Sequence, residues 1–353
     1  AKKATGIGGP GRWAEARSDN DWHISSKQRC HTNRSALRAS TAGMDPVAEP
    51  QIKRCGTMKP FRPVFIIGPG RSGTTLLYKL LALHHDVGYV SNFDAQSPRW
   101  FPSPILARIT ARRYQLKKWA WFSSSGDANM PRRTWAKKLV PTPSEAVSVY
   151  QRCGIGFQEF SKPLTSEVEK SLREEFIRFQ SLQCSNVIIS KRTANNRRLP
   201  GIASAFPEAL YILVVRDGRA VAESLRAVHW WSNHKVWWAN GQTPHDIERS
   251  GASMLSIAAR NWMEEIRTIR EGLKTLDERQ VKSVRYEDFL TDPLSSLRNM
   301  LDFLGVISCP EYETTVRALN LGPRLEAWHS WNASELDTVM KIQREGLSSL
   351  GYI

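Results

Sequence analysis

The chain has 353 residues, of which 41% are hydrophobic, enough for one large domain or two small ones with a real core. Its formal net charge is +16, its five cysteines show no C-x-x-C spacing, and no apolar run reaches the ~18 residues of a membrane span. A disulfide scaffold, a cysteine-zinc site and a transmembrane protein are therefore disfavoured, whereas a reducing, cytoplasmic setting and an anionic partner fit.

Residues 1–57 are polar and Gly- and Arg-containing, without apolar periodicity, and are expected to be a disordered leader. The folded domain is expected over 58–353. Val64–Ile67 is a short apolar run ended by glycines and reads as a buried strand. Gly68-Pro-Gly-Arg-Ser-Gly-Thr-Thr follows, then helical spacing from Thr74 to His84 through Leu76, Leu77, Leu80, Leu81 and Leu83. A Gly-rich turn feeding a helix aims backbone N–H groups and the helix dipole at an anion. The loop has the spacing of a nucleotide-triphosphate loop, but Thr74 replaces its lysine, and Arg71 sits three residues earlier. Without that lysine a triphosphate loses its main clamp, so a shorter anion fits better. Gly68, Gly70 and Gly73 also match the dinucleotide fingerprint, with Asp94 at a distance compatible with a ribose-binding acid. Both alternatives stay open here. His84 and His85, at the helix end, are read as structural.

Ten Lys or Arg and one acid, Asp127, lie between Arg99 and Lys138. Within this basic region Ile105–Phe122, with Trp119 and Trp121, offers a membrane-surface contact. No nucleic-acid module accompanies the charge, so nucleic acid is not expected as the partner. A helical pattern covers Leu164–Leu182, and a strand is expected over Asn186–Ser190, just before Lys191. The strand Leu210–Val215 runs straight into Arg216-Asp-Gly-Arg219 and a helix over Ala220–Ala227. Arg216 and Ser224 would form a second oxyanion site, separate from the first, whereas Asp217 could be a metal-binding carboxylate with Arg216 competing beside it. His229–Gly241 carries four tryptophans beside polar residues, a composition suited to stacking on sugar rings or to packing. A helix over Ser253–Leu273 and a strand over Val281–Val284 complete the pattern. The alternation predicts an α/β domain with a central, mainly parallel sheet flanked by helices, its ligands beyond the carboxyl ends of the strands.

"GPGRSGTTLL" resembles the 5′-phosphosulfate loop of the sulfotransferases that use 3′-phosphoadenosine-5′-phosphosulfate (PAPS), and "VVRDGRAVAESL" resembles their 3′-phosphate motif. "IISKRTANN", "AFPEALYILVVRDGR" and "VRYEDFLTDPLSSLRNMLDFLGV" are similar to further stretches of that family. The resemblance spans about Val64 to Tyr352. It implies a three-layer P-loop-like fold, PAPS as sulfuryl donor with adenosine 3′,5′-bisphosphate as product, no metal, and a hydroxyl-bearing acceptor. The implied cofactor residues are Gly70, Arg71, Ser72, Gly73, Thr74, Thr75, Arg216, Ser224 and Tyr286. Lys191 would face the leaving group, unless it is merely an exposed lysine at a strand end. In the protein-tyrosine sulfotransferases, which both motifs resemble, a glutamate follows the loop helix; the counted position here is Asn92. That departure leaves Asp94 and Glu145, the latter favoured, as candidate general bases. The tryptophans and the basic region tilt the acceptor towards a glycan, a glycolipid or another small metabolite. A nucleotide kinase, an NAD-type enzyme and a non-catalytic nucleotide binder are the alternatives.

Overall fold

A computed structural model describes residues 60–123, 134–156, 164–323 and 326–353, and the expected leader and Asp127 lie outside them. Five strands, β1 (Pro63–Ile67), β2 (Val87–Tyr89), β3 (Val187–Lys191), β4 (Leu210–Val215) and β5 (Val281–Arg285), form one parallel sheet. Their order is β2-β3-β1-β4-β5. Ile66 is in register with Lys191, Ile67 with Leu213, and Val215 with Arg285. The strands that end before Gly68, at Lys191 and before Arg216 are thus three neighbours whose carboxyl ends share one edge. The third strand runs one residue beyond its expected end, so Lys191 closes it. β2 escapes sequence reading because it is only three residues long and holds a glycine.

Both faces of the sheet are covered, which is why the strands read as unbroken apolar runs rather than alternating ones. Val64 and Ile66 face one core cluster and Phe65 and Ile67 the other. The first face is covered by α1 (Thr74–Leu83) and α4 (Tyr114–Trp121), with α13 (Pro293–Phe303) and α14 (Pro310–Arg317). Between α1 and α4 lie α2 (Asn92–Gln96) and α3 (Pro104–Thr110), and α5 (Trp135–Lys138) follows α4 in the described chain. The second face is covered by α6 (Val147–Arg152), α7 (Ser166–Gln183) and α8 (Leu199–Ala205), through Tyr150, Phe176, Phe179 and Ile202.

The remaining helices build out beyond β4. They are α9 (Gly218–Arg226), α10 (Pro244–Arg249), α11 (Met254–Leu273), α12 (Tyr286–Thr291) after β5, and α15 (Ala333–Ser349). α9, α11 and α15 close on Trp231, Leu255, Trp262 and Leu347. α7 and α11 start where their sequence predicts: Thr165 and Ser253 accept backbone N–H bonds as N-caps. Among the described residues no helix is long and apolar enough to cross a membrane.

Candidate active site

The loop between β1 and α1 is shaped by backbone as much as by side chains. Gly68 has φ +145°, and a Cβ there would lie 2.3 Å from the Val214 carbonyl oxygen. Gly73, the N-cap of α1, has φ 85°, and a Cβ there would strike the Tyr286 ring at 2.3 Å. Only glycine satisfies both demands at either position. Arg71 also adopts a left-handed conformation, with φ 69°. The first turn of α1 has no side-chain cap, so its N–H groups remain available to an anion. Ser72 Oγ is buried and has no hydrogen-bond partner among the described residues, Thr74 is buried in the first turn, and Thr75 is exposed.

The second motif lies against the first. Arg71 Nε donates to Ser224 Oγ at 3.0 Å, and Arg216 Nη1 donates to the Arg71 carbonyl at 3.0 Å. Arg216 also lies 4.7 Å from the centre of the Tyr286 ring. Arg71, Ser224, Arg216 and Tyr286 are one contiguous group. Burial first, and the Arg216 charge second, lower the pKa of Arg71 from its ordinary value. Two guanidinium groups thus crowd one place, an arrangement that favours an anion between them. Glu326 meets the Arg216 side of the pair, where both of its carboxylate oxygens accept from Arg216 Nη2, at 2.8 and 2.7 Å. Asp217, the possible metal carboxylate, instead caps α9 and binds Arg219.

Lys191 is buried at the tip of β3, and its Nζ donates to Glu145 Oε1. What brings Glu145 there is the Pro141–Glu145 run, laid beside the chain after β2. Asn92 N–H donates to the Thr142 carbonyl and Asn92 Oδ1 accepts from Thr142 N–H, while Ser144 N–H donates to Val90. So Asn92, at the position counted for the family's glutamate, anchors the segment that carries a glutamate. Asp94 is elsewhere. It is buried at the start of α2, where Ser91 N–H and Oγ and Ser103 Oγ all donate to it. Burial raises its pKa, and these hydrogen bonds oppose the rise. Both oxygens are thus engaged at the start of α2, and Asp94 is not among the residues lining the cavity beside the loop.

A cavity of about 270 Å³ opens beside the loop, lined by Gly70 and Glu145 among others. Trp230, Trp231 and Trp237 from the tryptophan-rich segment stand in its wall. Three further residues were not singled out from sequence. Asn196 pins the loop in both directions, accepting from Gly68 N–H and donating to Gly68 O. Glu265 of α11 accepts from Asn196, Arg197 and Trp237. Arg192 lies in the cavity wall, 4.8 Å from the Tyr150 ring centre, with Nη1 and Nη2 buried and unpartnered among the described residues. Their signal was thin: "KRTANN" drew attention only through Lys191, and Glu265 is one acid among several on a long helix.

Among the described residues one group, His84, His85 and Cys309, could hold a metal. It sits at the far end of α1 from the loop, about 15 Å along a ten-residue helix, so it takes no part in this site.

A family model described as Sulfotransferase family matches residues 63–309. Two curated proteins called omega-hydroxy-beta-dihydromenaquinone-9 sulfotransferase Stf3, from Mycobacterium bovis and Mycobacterium tuberculosis, are each 22% identical over 258 residues. That match covers 69% of this chain but 63% of theirs, under two thirds of their length. Among solved structures, sulfotransferase STF9 from Mycobacterium avium shares the fold with a TM-score of 0.52 at 16% identity, covering 82% of this chain and 76% of that one.

Proposed function

The chain belongs to the sulfotransferase family, and on that premise we propose that it transfers a sulfuryl group from PAPS to an acceptor hydroxyl. The observation that carries the reading is that the anion loop and the Lys191–Glu145 pair border the same cavity, through Gly70 and Glu145.

The residues suit a cofactor with two anionic ends. The loop from Gly70 to Gly73 and the first turn of α1, with Ser72 Oγ, Thr74 and Thr75, would hold the 5′ end. Arg216 and Ser224 would hold the 3′-phosphate, with Arg71 between the two sites and the Tyr286 ring against both Gly73 and Arg216. Bound there, PAPS would supply a sulfuryl group attached to a phosphate leaving group. Lys191 offers its charge where negative charge grows on the leaving oxygen, a role of electrostatic preorganisation.

Glu145 is the general base. Its carboxylate takes the acceptor's hydroxyl proton as the new O–S bond forms and the old S–O bond breaks. In the structure Lys191 Nζ donates to Glu145 Oε1 at the cavity wall, and the acceptor hydroxyl must share that carboxylate. The Trp230, Trp231 and Trp237 side chains suit a flat acceptor end, such as a sugar ring, presented by a glycan, a glycolipid or a small metabolite.

The test is direct. Thermal-shift titration with adenosine 3′,5′-bisphosphate, ATP with Mg²⁺, and NAD is expected to show stabilisation by the bisphosphate alone. Radiolabelled PAPS with a panel of hydroxylated glycans and glycolipids is then expected to give labelled product. Stabilisation by ATP or NAD instead would overturn the reading.

A further inference from the structure

Outside the cavity, one surface departs sharply from the rest. Seven of the twelve large apolar side chains exposed among the described residues lie between Trp100 and Leu139. The most exposed of those on α3, α4 and α5 and their ends are Trp135 at 78%, Ile109 at 67%, Leu139 at 66% and Trp119 at 47%. α4 explains part of this pattern. Its inner face buries Tyr114, Lys117 and Trp121, so Leu116 and Trp119, three residues apart, stand outward. Lys137 Nζ lies 5.3 Å from the Trp119 ring centre, which ties α5 to the same face. Trp121, a surface candidate by sequence, is instead fully buried and donates its indole N–H to Pro141 O.

The segment that builds this face carries charge of one sign, although Glu311 of α14, which packs on α4, lies near Arg112. From Arg99 to Leu139 no described residue is acidic. Arg99 is drawn to Glu174 and Glu175, and Lys117 is buried against the Leu83 and Ala111 carbonyls. Arg113, Lys118, Lys137 and Lys138 remain on the face with no ion pair to another described residue. A partner must therefore cover apolar side chains and neutralise several cations together. A second copy would cover the apolar groups but set like charges against each other across a two-fold. A nucleic acid would meet the charge and could stack on Trp119 and Trp135, but it would leave Leu116 and Leu139 facing water.

We propose that this face, built from Leu116, Trp119, Trp135 and Leu139 ringed by Arg113, Lys118, Lys137 and Lys138, docks on the surface of an anionic lipid bilayer. Indole and aliphatic groups enter the interface while the cations meet lipid phosphates, as on interfacial amphipathic helices. Leu139 precedes Glu145 by six residues. The docking face therefore runs straight into the segment carrying the carboxylate at the cavity.

Vesicle co-sedimentation of the full chain tests this without any transfer reaction. Wild type is expected to bind vesicles of phosphatidylcholine mixed with phosphatidylglycerol much better than phosphatidylcholine alone, with binding weakened by salt. Trp119→Ala/Trp135→Ala/Leu139→Ser should weaken binding about tenfold or more. Lys137→Glu/Lys138→Glu should remove the preference for phosphatidylglycerol. Trp135→Ala alone, at the most exposed position, keeps the test readable should the triple variant fold poorly. Absence of binding to both vesicles, equal binding to both, or variants that bind like wild type would overturn the proposal. So would a lipid-free dimer dispersed by the apolar substitutions, because a second copy would then be the occupant.

Discussion

Glu326 places both carboxylate oxygens on a single nitrogen of Arg216, the arginine that follows β4. If Arg216 holds the 3′-phosphate, that phosphate must take the place of the Glu326 carboxylate, and the exchange weakens binding by the strength of the pair. Adenosine 3′,5′-bisphosphate should bind more tightly than AMP, and Arg216→Ala should erase most of the preference, roughly 10- to 100-fold, the loss of a charged hydrogen-bond partner. Glu326→Gln should tighten bisphosphate binding about three- to tenfold and leave AMP unchanged. Calorimetric titration of both nucleotides checks this; weaker bisphosphate binding by Glu326→Gln would assign Glu326 to the site as a partner rather than a competitor.

Glu145 and Asp94 should separate cleanly. Glu145→Gln should lower turnover by roughly 10²–10⁴-fold with bisphosphate affinity and fold intact. Asp94→Ala should cost about 1–3 kcal/mol of stability, because it removes a cap and the acceptor of three buried bonds. Turnover per folded molecule should barely change. Denaturation midpoints and sulfate-transfer rates on the same samples distinguish the two, and the reverse pattern would give the base role to Asp94.

Arg192 is a buried cation whose two terminal nitrogens have no partner among the described residues. Burial lowers its pKa, against the opposing influence of Tyr150 and Glu145. A charge in that state costs stability, and an apolar residue of similar length relieves the cost by about 1–4 kcal/mol. Arg192→Met should therefore raise the melting temperature. It should also lower turnover, since the positive field beside Glu145 and the cavity is lost. A lower melting temperature would mean that the guanidinium is structurally satisfied.

His84 gives stability a pH dependence. Burial, helped by His85 and opposed by Asp86, lowers its pKa from 6.5 to about 4. Below about pH 6.5 the unfolded chain takes up a proton that the folded chain refuses, so stability falls as the pH drops from about 6.5 to about 4, by up to about 3 kcal/mol. His84→Asn keeps an acceptor for the Asp86 N–H, which now donates to His84 Nδ1. Urea midpoints measured across that range should fall less steeply for the variant, and identical slopes would move the effect to another group.

What could be read from the sequence was local. The β1–loop–α1 unit and the β4–Arg216–α9 unit are each a continuous strand, turn and helix, and their apolar spacing placed them within a residue or two. That Gly68, Lys191 and Arg216 share an edge followed from parallel order. The interactions across the chain were not legible. No spacing rule says that Glu326 reaches back 110 residues to Arg216, or that Asn196 holds a glycine 128 residues away. Glu145 entered only through the family resemblance, because its position depends on Asn92 pairing with Thr142, a contact no periodicity announces. Asp94 was ambiguous for the opposite reason: a buried carboxylate that bonds within its own helix start looks, in sequence, like one that serves a ligand.

Glu265 accepts from Asn196, which grips the loop, and from Trp237, which walls the cavity. One carboxylate, itself in the cavity lining, is thus the common partner of the loop's anchor and the cavity wall. Energies of substitutions on the two sides should then fail to sum, because removing either donor reshapes the bonds left to the other. A first ligand that stiffens the loop also stiffens the wall awaiting the second, and by reciprocity the second tightens the hold on the first.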